Sequence, residues 1–137
     1  MKTKNNKLSS SKEDYLEAIA VLKKDGGIAR VKDISRLMNV KKPSVTDALN
    51  TLSKDGLIIH ERYSYVDLTR EGERLALRVQ KRHDVLIKFL TEILNIDRHI
   101  ATEDACRMEH TISPETFEKL IKFMRSIEIA KKHKRKV

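Results

Sequence analysis

With 137 residues, 39% hydrophobic and 36% charged, the chain is long enough for one domain or two small ones sharing a core. No apolar run approaches the roughly 20 residues needed to span a bilayer. The basic start (Lys2, Lys4, Lys7) continues into Asn, Ser and Lys rather than an apolar signal segment. No membrane partner is expected, and the single cysteine, Cys106, excludes an internal disulfide and fits a reducing cytoplasm.

The formal net charge of +9 points towards an anionic partner, but eight of the 29 basic residues lie at the two ends (Lys2, Lys4, Lys7, Lys131, Lys132, Lys134, Arg135, Lys136). That leaves 21 basic against 20 acidic residues in a nearly neutral body. Such ends either add sequence-independent phosphate affinity or are solvated, disordered tails, and charge alone does not decide between them.

Taken in chain order, a first helix is expected from about Lys12 to Lys24. Ser10 with Glu13, or Ser11 with Asp14, offers a capping box, and Tyr15, Leu16, Ile19, Ala20 and Leu22 form the apolar face. Asp25-Gly26-Gly27 ends it. Val31 to Met38 reads as a short helix with Ile34 and Leu37 inward, followed by a turn at Asn39-Val40. Lys42-Pro43-Ser44 opens a third helix with a buried stripe of Val45, Leu49 and Leu52, stopped by Asp55-Gly56. Leu57 to Glu61 and Tyr65 to Leu68 then read as two short strands around a turn at Arg62 to Ser64. A long helix follows Thr69 to about Leu94, with Leu75, Val79, Leu86, Leu90 and Leu94 in helical register. Helices from about Ile100 to Ile112 and from Ser113-Pro114-Glu115 to about Ile129 complete the chain, and no internal repeat occurs.

The order helix, helix, turn, helix, two strands is a winged helix-turn-helix, so the expected fold is mainly α with a small β-hairpin wing. The domains are expected at residues 1–72, for DNA binding, and 73–137, a helical unit. In such a unit the third helix enters the DNA major groove and the hairpin lies along the backbone. Lys41, Lys42, Pro43, Ser44, Thr46, Asp47 and Asn50 form the expected DNA-facing set, with Thr51 on the same outward side. Hydroxyls and amides there reach base edges, and Lys holds phosphates. Arg62 at the wing tip is a candidate phosphate contact. The plainer alternative is a solvated helix face, because three-helix units also serve protein–protein contacts.

Cys106-Arg107-Met108-Glu109-His110 carries the chemistry. On a helix, positions i, i+3 and i+4 share a face, so Cys106, Glu109 and His110 offer a thiolate, a carboxylate and an imidazole to one point. His83, four after Val79 and three before Leu86, occupies an inward position as either a ligand or a hydrogen-bonded core residue. Asp14 and Glu17, i and i+3 on the first helix, are either ligands or a cap and a surface charge. Six donors on three helices, each set at facing spacings, favour a metal, since buried acids and imidazoles need partners.

Ser11-Lys-Glu-Asp-Tyr-Leu-Glu-Ala-Ile, Pro43-Ser-Val-Thr, Asp55-Gly-Leu-Ile, Val66-Asp-Leu-Thr-Arg-Glu-Gly, Arg82-His83 and Asp104-Ala-Cys-Arg-Met-Glu-His110 occur in succession. Over roughly Ser11 to Phe123 the chain resembles the diphtheria toxin repressor family of metal-dependent bacterial repressors, including its manganese transport regulator branch. The resemblance implies a two-domain homodimer that binds double-stranded operator DNA when loaded with divalent metal and so controls metal homeostasis. It implies metal ligands at Asp14, Glu17, His83, Glu109 and His110. Cys106 stands where the manganese branch has Glu and the iron branch Cys, while Asp14/Glu17 follows the manganese pattern. Ile87 and Thr102 stand where the iron branch's ancillary site has Glu and His.

Cys106 offers one soft sulfur where Glu would bridge two hard ions, so Fe(II) is favoured over Mn(II); Co(II), Ni(II) or Zn(II) would bind in vitro by affinity. Metal held between Asp14/Glu17 and the dimerisation-side ligands would fix the spacing of two recognition helices. The rival reading is a metal-independent winged-helix regulator sensing an organic ligand or oxidant through Cys106. A protein-interaction module is a further alternative. An enzyme, and with it an organic substrate, is not expected: Cys106 and His110 at i, i+4 give poor attack geometry, and with four Gly no oxyanion-forming loop is near.

Overall fold

The computed structural model describes residues 9–61 and 65–135. Arg62, the expected turn at 62–64, and the terminal Lys2, Lys4, Lys7 and Lys136 lie outside the described residues. The chain divides into two compact units, residues 1–80 and 81–137.

The N-terminal unit holds α1 (Ser10–Lys23), α2 (Val31–Met38), α3 (Lys42–Lys54), β1 (Ile58–His60), β2 (Val66–Leu68) and the start of α4 (Arg70–Lys88). Ser9, not Ser10 or Ser11, caps α1, its Oγ accepting the Lys12 N–H at 3.2 Å. Capping at the first of three serines lengthens the helix and leaves Glu13 in the first turn, where the helix dipole favours an acid. Tyr15, Leu16 and Ile19 of α1 join Ile34, Val45, Leu49, Leu52, Leu57, Ile58 and Val66 in one core. Leu37, expected inward, is half exposed, while Met38 packs against the core. Val31, Ile34 and Met38 follow the i, i+3, i+7 stripe, and Leu37 falls to its side. α2 stops at Asn39, whose left-handed backbone (φ 57°) lets the Val40 N–H bond Ser35 O at 3.1 Å.

The wing is an antiparallel pair with Ile58 opposite Leu68 and His60 opposite Val66, extended by a bridge from Ala29 to Val66. The strands are shorter than expected because Leu57 is used elsewhere: its N–H bonds Leu52 O of α3 and its O accepts the Thr69 N–H, both at 3.0 Å. Thr69 is the corner piece. Its Oγ1 donates to Gly56 O at 2.7 Å and accepts the Gly72 N–H at 3.1 Å, capping α4 while tying it to the end of α3. A Cβ on Gly72 would stand 2.0 Å from Leu57 O, so only glycine lets the first turn of α4 approach that carbonyl. Lys12 pairs with Asp55 at 2.8 Å, and Lys23 pairs with Asp67, holding that carboxyl below its ordinary range through the hydrogen bond.

In the C-terminal unit the rest of α4 runs into a π-helical turn (Phe89–Ile93), then α5 (Arg98–Thr111) and α6 (Pro114–Arg135). Leu86, Leu90, Ala101 and Ala105 form the core, flanked by Phe89, Met108, Phe117 and Leu120. Leu94, expected in the buried stripe, is half exposed. The Leu94 N–H reaches back five residues to Phe89 O, and this wider turn rotates position 94 off the stripe that Leu86 and Leu90 define. α6 continues past Ile129 through the basic residues, with Lys131 3.7 Å from Glu92 and Lys88 paired with Glu128. Cations complement a helix C-terminus, so Lys131 to Lys134 extend the helix instead of forming a tail. No helix among the described residues is long and apolar enough to cross a membrane.

Gly72→Ala is expected to cost about 1–3 kcal/mol by forcing α4 away from Leu57 O, read as a lowered midpoint in thermal unfolding by circular dichroism.

Candidate functional site

On α3, Val45, Leu49 and Leu52 are fully buried, so the opposite face points outward. Lys41, Lys42, Pro43, Ser44, Thr46, Asp47, Asn50 and Thr51 are all exposed. Lys41 occupies the N-cap position without a side-chain capping bond, and Pro43 sits in the first turn, which needs no proline N–H. The outward side thus presents two ammonium groups at the helix start, then hydroxyls and an amide. Thr51 turns its hydroxyl onto the backbone O of Asp47 at 3.2 Å, leaving Thr46, Asp47 and Asn50 as the mid-helix polar groups. At the base of the wing Arg30 stacks over Tyr65, 5.0 Å from the ring centroid.

The metal-like cluster forms around one carboxylate. Along α5 the buried positions are Ala101, Ala105 and Glu109, at i, i+4 and i+8, so Glu109 continues the stripe packed against Leu86 and Leu90. Alanine at two of these positions lets α5 lie close to the π-helical turn, and the Glu109 side chain has no solvent exposure. His83 Nε2 lies 3.3 Å from Glu109 Oε2, and His110 Nδ1 lies 3.9 Å from Glu109 Oε1. Arg82 Nη2 lies 3.9 Å from the same Oε1. Cys106 is a partly buried thiol one turn before Glu109 and His110.

The C-terminal unit therefore gathers His83, Glu109 and His110, with Cys106 on the same helix. α1 of the N-terminal unit carries Asp14 and Glu17, both half buried. A buried carboxylate flanked by two imidazoles, with a thiol one turn away, is a donor set that fits a divalent transition metal. One residue beside the Glu109 carboxylate, Arg82, was not singled out in the sequence as a site member; it was visible only as the neighbour of His83.

Residues 7–66 match the model of the iron dependent repressor N-terminal DNA binding domain, and residues 69–136 that of the iron dependent repressor metal binding and dimerisation domain. An uncharacterised HTH-type transcriptional regulator of Methanocaldococcus jannaschii is 34% identical over 118 residues, 85% of this chain and 94% of that one. The HTH-type transcriptional regulator MntR of Lysinibacillus sphaericus is 33% identical over 118 residues, 86% of this chain and 84% of that one. The structure of the manganese regulator SloR superposes with a TM-score of 0.72 at 31% identity, covering 83% of this chain. This chain spans about half of SloR's length (53%). The chain belongs to the diphtheria toxin repressor family of metal-dependent, DNA-binding transcriptional regulators.

Proposed function

We propose that this chain is a repressor that binds operator DNA as a homodimer when loaded with Fe(II) or Mn(II), and so controls metal-ion homeostasis. The observation that carries the reading is the convergence of His83 and His110 on the buried carboxylate of Glu109, in a chain matched by both domain models. The family's metal-binding domain favours this over a regulator that senses an organic ligand or oxidant through Cys106 alone.

His83 and His110 offer ring nitrogens and Glu109 a carboxylate. Cys106 adds a thiolate, and the ligand set read from the sequence adds Asp14 and Glu17. When bound, a divalent ion supplies the positive charge that these acids share. The residues then act by linkage: a ligand set complete only in the DNA-competent state binds metal best in that state, so metal and DNA strengthen each other's binding. Lys41 and Lys42 hold phosphates, while Thr46 and Asn50 reach base edges. Fe(II) is favoured over Mn(II) because the Cys106 sulfur is a soft donor that hard Mn(II) uses poorly.

Three outcomes test this reading on a DNA fragment selected from a random pool by metal-loaded protein. Divalent metal should raise affinity by about 5–150-fold over a chelator control, and His83→Ala should abolish that gain; equal binding with and without metal would refute the scheme. Asn50→Ala should cost about 1–3 kcal/mol on the selected sequence and much less on unrelated DNA, measured by competition binding. Cys106→Glu should move the ranking of metals towards Mn(II) in a binding titration, and an unchanged ranking would count against Cys106 as a ligand.

A further inference from the structure

Among the described residues the Glu109 carboxylate is the most deeply buried charge in the C-terminal unit, with no exposure of its side chain. An ionised carboxylate in that setting needs positive charge beside it. Three nitrogen-bearing groups of the same unit face it: His83 at 3.3 Å, and His110 and Arg82 at 3.9 Å. The imidazoles ligate a metal only when neutral, because a protonated ring nitrogen has no lone pair to give. They cannot be both ligands and the fixed counter-charge. Arg82 keeps its charge at every accessible pH, so of these three groups it is the one that supplies a permanent cation. It is itself mostly buried, with 19% side-chain exposure, and its guanidinium reaches Glu109 from the residue before His83 on α4.

We infer that Arg82 is a built-in placeholder cation: it balances Glu109 in the metal-free protein and opposes the incoming divalent ion, setting the metal concentration at which the regulator responds. The inference rests on the metal reading of this site. Before metal arrives, Arg82 places a positive charge beside the carboxylate. Afterwards its charge stands beside a doubly charged ion, and the repulsion lowers affinity. A residue that merely oriented Glu109 would have the opposite effect, since its loss would weaken metal binding.

The test is Co(II) titration of the full chain, followed by its visible absorption, together with thermal unfolding with and without Co(II). Arg82→Gln and the length-matched Arg82→Met should bind Co(II) at least about tenfold more tightly than the unsubstituted protein. Both should unfold at lower temperature without metal, and Arg82→Lys, which keeps the charge, should stay within about threefold in affinity. Affinity and metal-free stability thus move in opposite directions, which a purely structural role does not produce. If both neutral variants are unfolded without metal, recovery of helical signal on adding Co(II) supports the inference and failure to recover overturns it. Equal or weaker binding by folded neutral variants overturns it while leaving the metal reading intact. No Co(II) binding by the unsubstituted protein overturns the metal reading and the inference with it.

Discussion

A single carboxylate removed from water governs the C-terminal half of this protein. Burying an ionised Glu109 is unfavourable unless hydrogen-bond donors or cations surround it, and that demand reaches into the neighbouring sequence. It explains why the buried stripe of α5 runs Ala101, Ala105, Glu109: two small residues bring the helices together over Leu86 and Leu90, and the third arrives within reach of His83 and Arg82. The arrangement is costly, because an apolar side chain at position 109 would suit the core without needing charged neighbours. Such groups are kept where a ligand uses them.

The N-terminal unit solves a different problem. A DNA-reading helix needs its recognition groups in water and its frame rigid. α3 meets the first demand by burying only Val45, Leu49 and Leu52 and leaving every proposed reader exposed. The second is met largely by backbone, through the carbonyls of Leu52, Gly56 and Leu57 and the hub at Thr69. Gly72 allows that corner to close. Frame and readers therefore use different atoms, and the reading face can change without disturbing the frame.

Much of this was legible in the sequence, and the parts that were not share a cause. Periodicity found the α3 stripe and the hairpin, and the i, i+3, i+4 spacing put Cys106, Glu109 and His110 on one helix, because those features depend only on local geometry. Leu37 and Leu94 were misplaced because a three-residue step is ambiguous by about 60° and a π turn breaks the period; neither shows in apolar spacing. The Ser9 cap was hidden among three serines of equal capping chemistry. Arg82 was the hardest to see: an Arg beside a His reads as a solvated charge until the neighbouring helix places Glu109 opposite it.

On the proposed reading, the centre separates two properties that a metal sensor must set. The charge of Arg82 opposes Mn(II), Fe(II), Co(II) and Zn(II) almost equally, since all carry the same charge and differ little in size. It therefore moves the threshold of response without ranking the metals. Cys106 does the reverse: its sulfur gains more from the softer ions than from Mn(II), so it ranks the metals while adding one ligand to each. Threshold and identity then lie on different helices, α4 and α5, and each can be altered with little effect on the other. A regulator of this kind can be retuned to a cell's metal supply by changing position 82, and to a different metal by changing position 106, without rebuilding the DNA-reading unit.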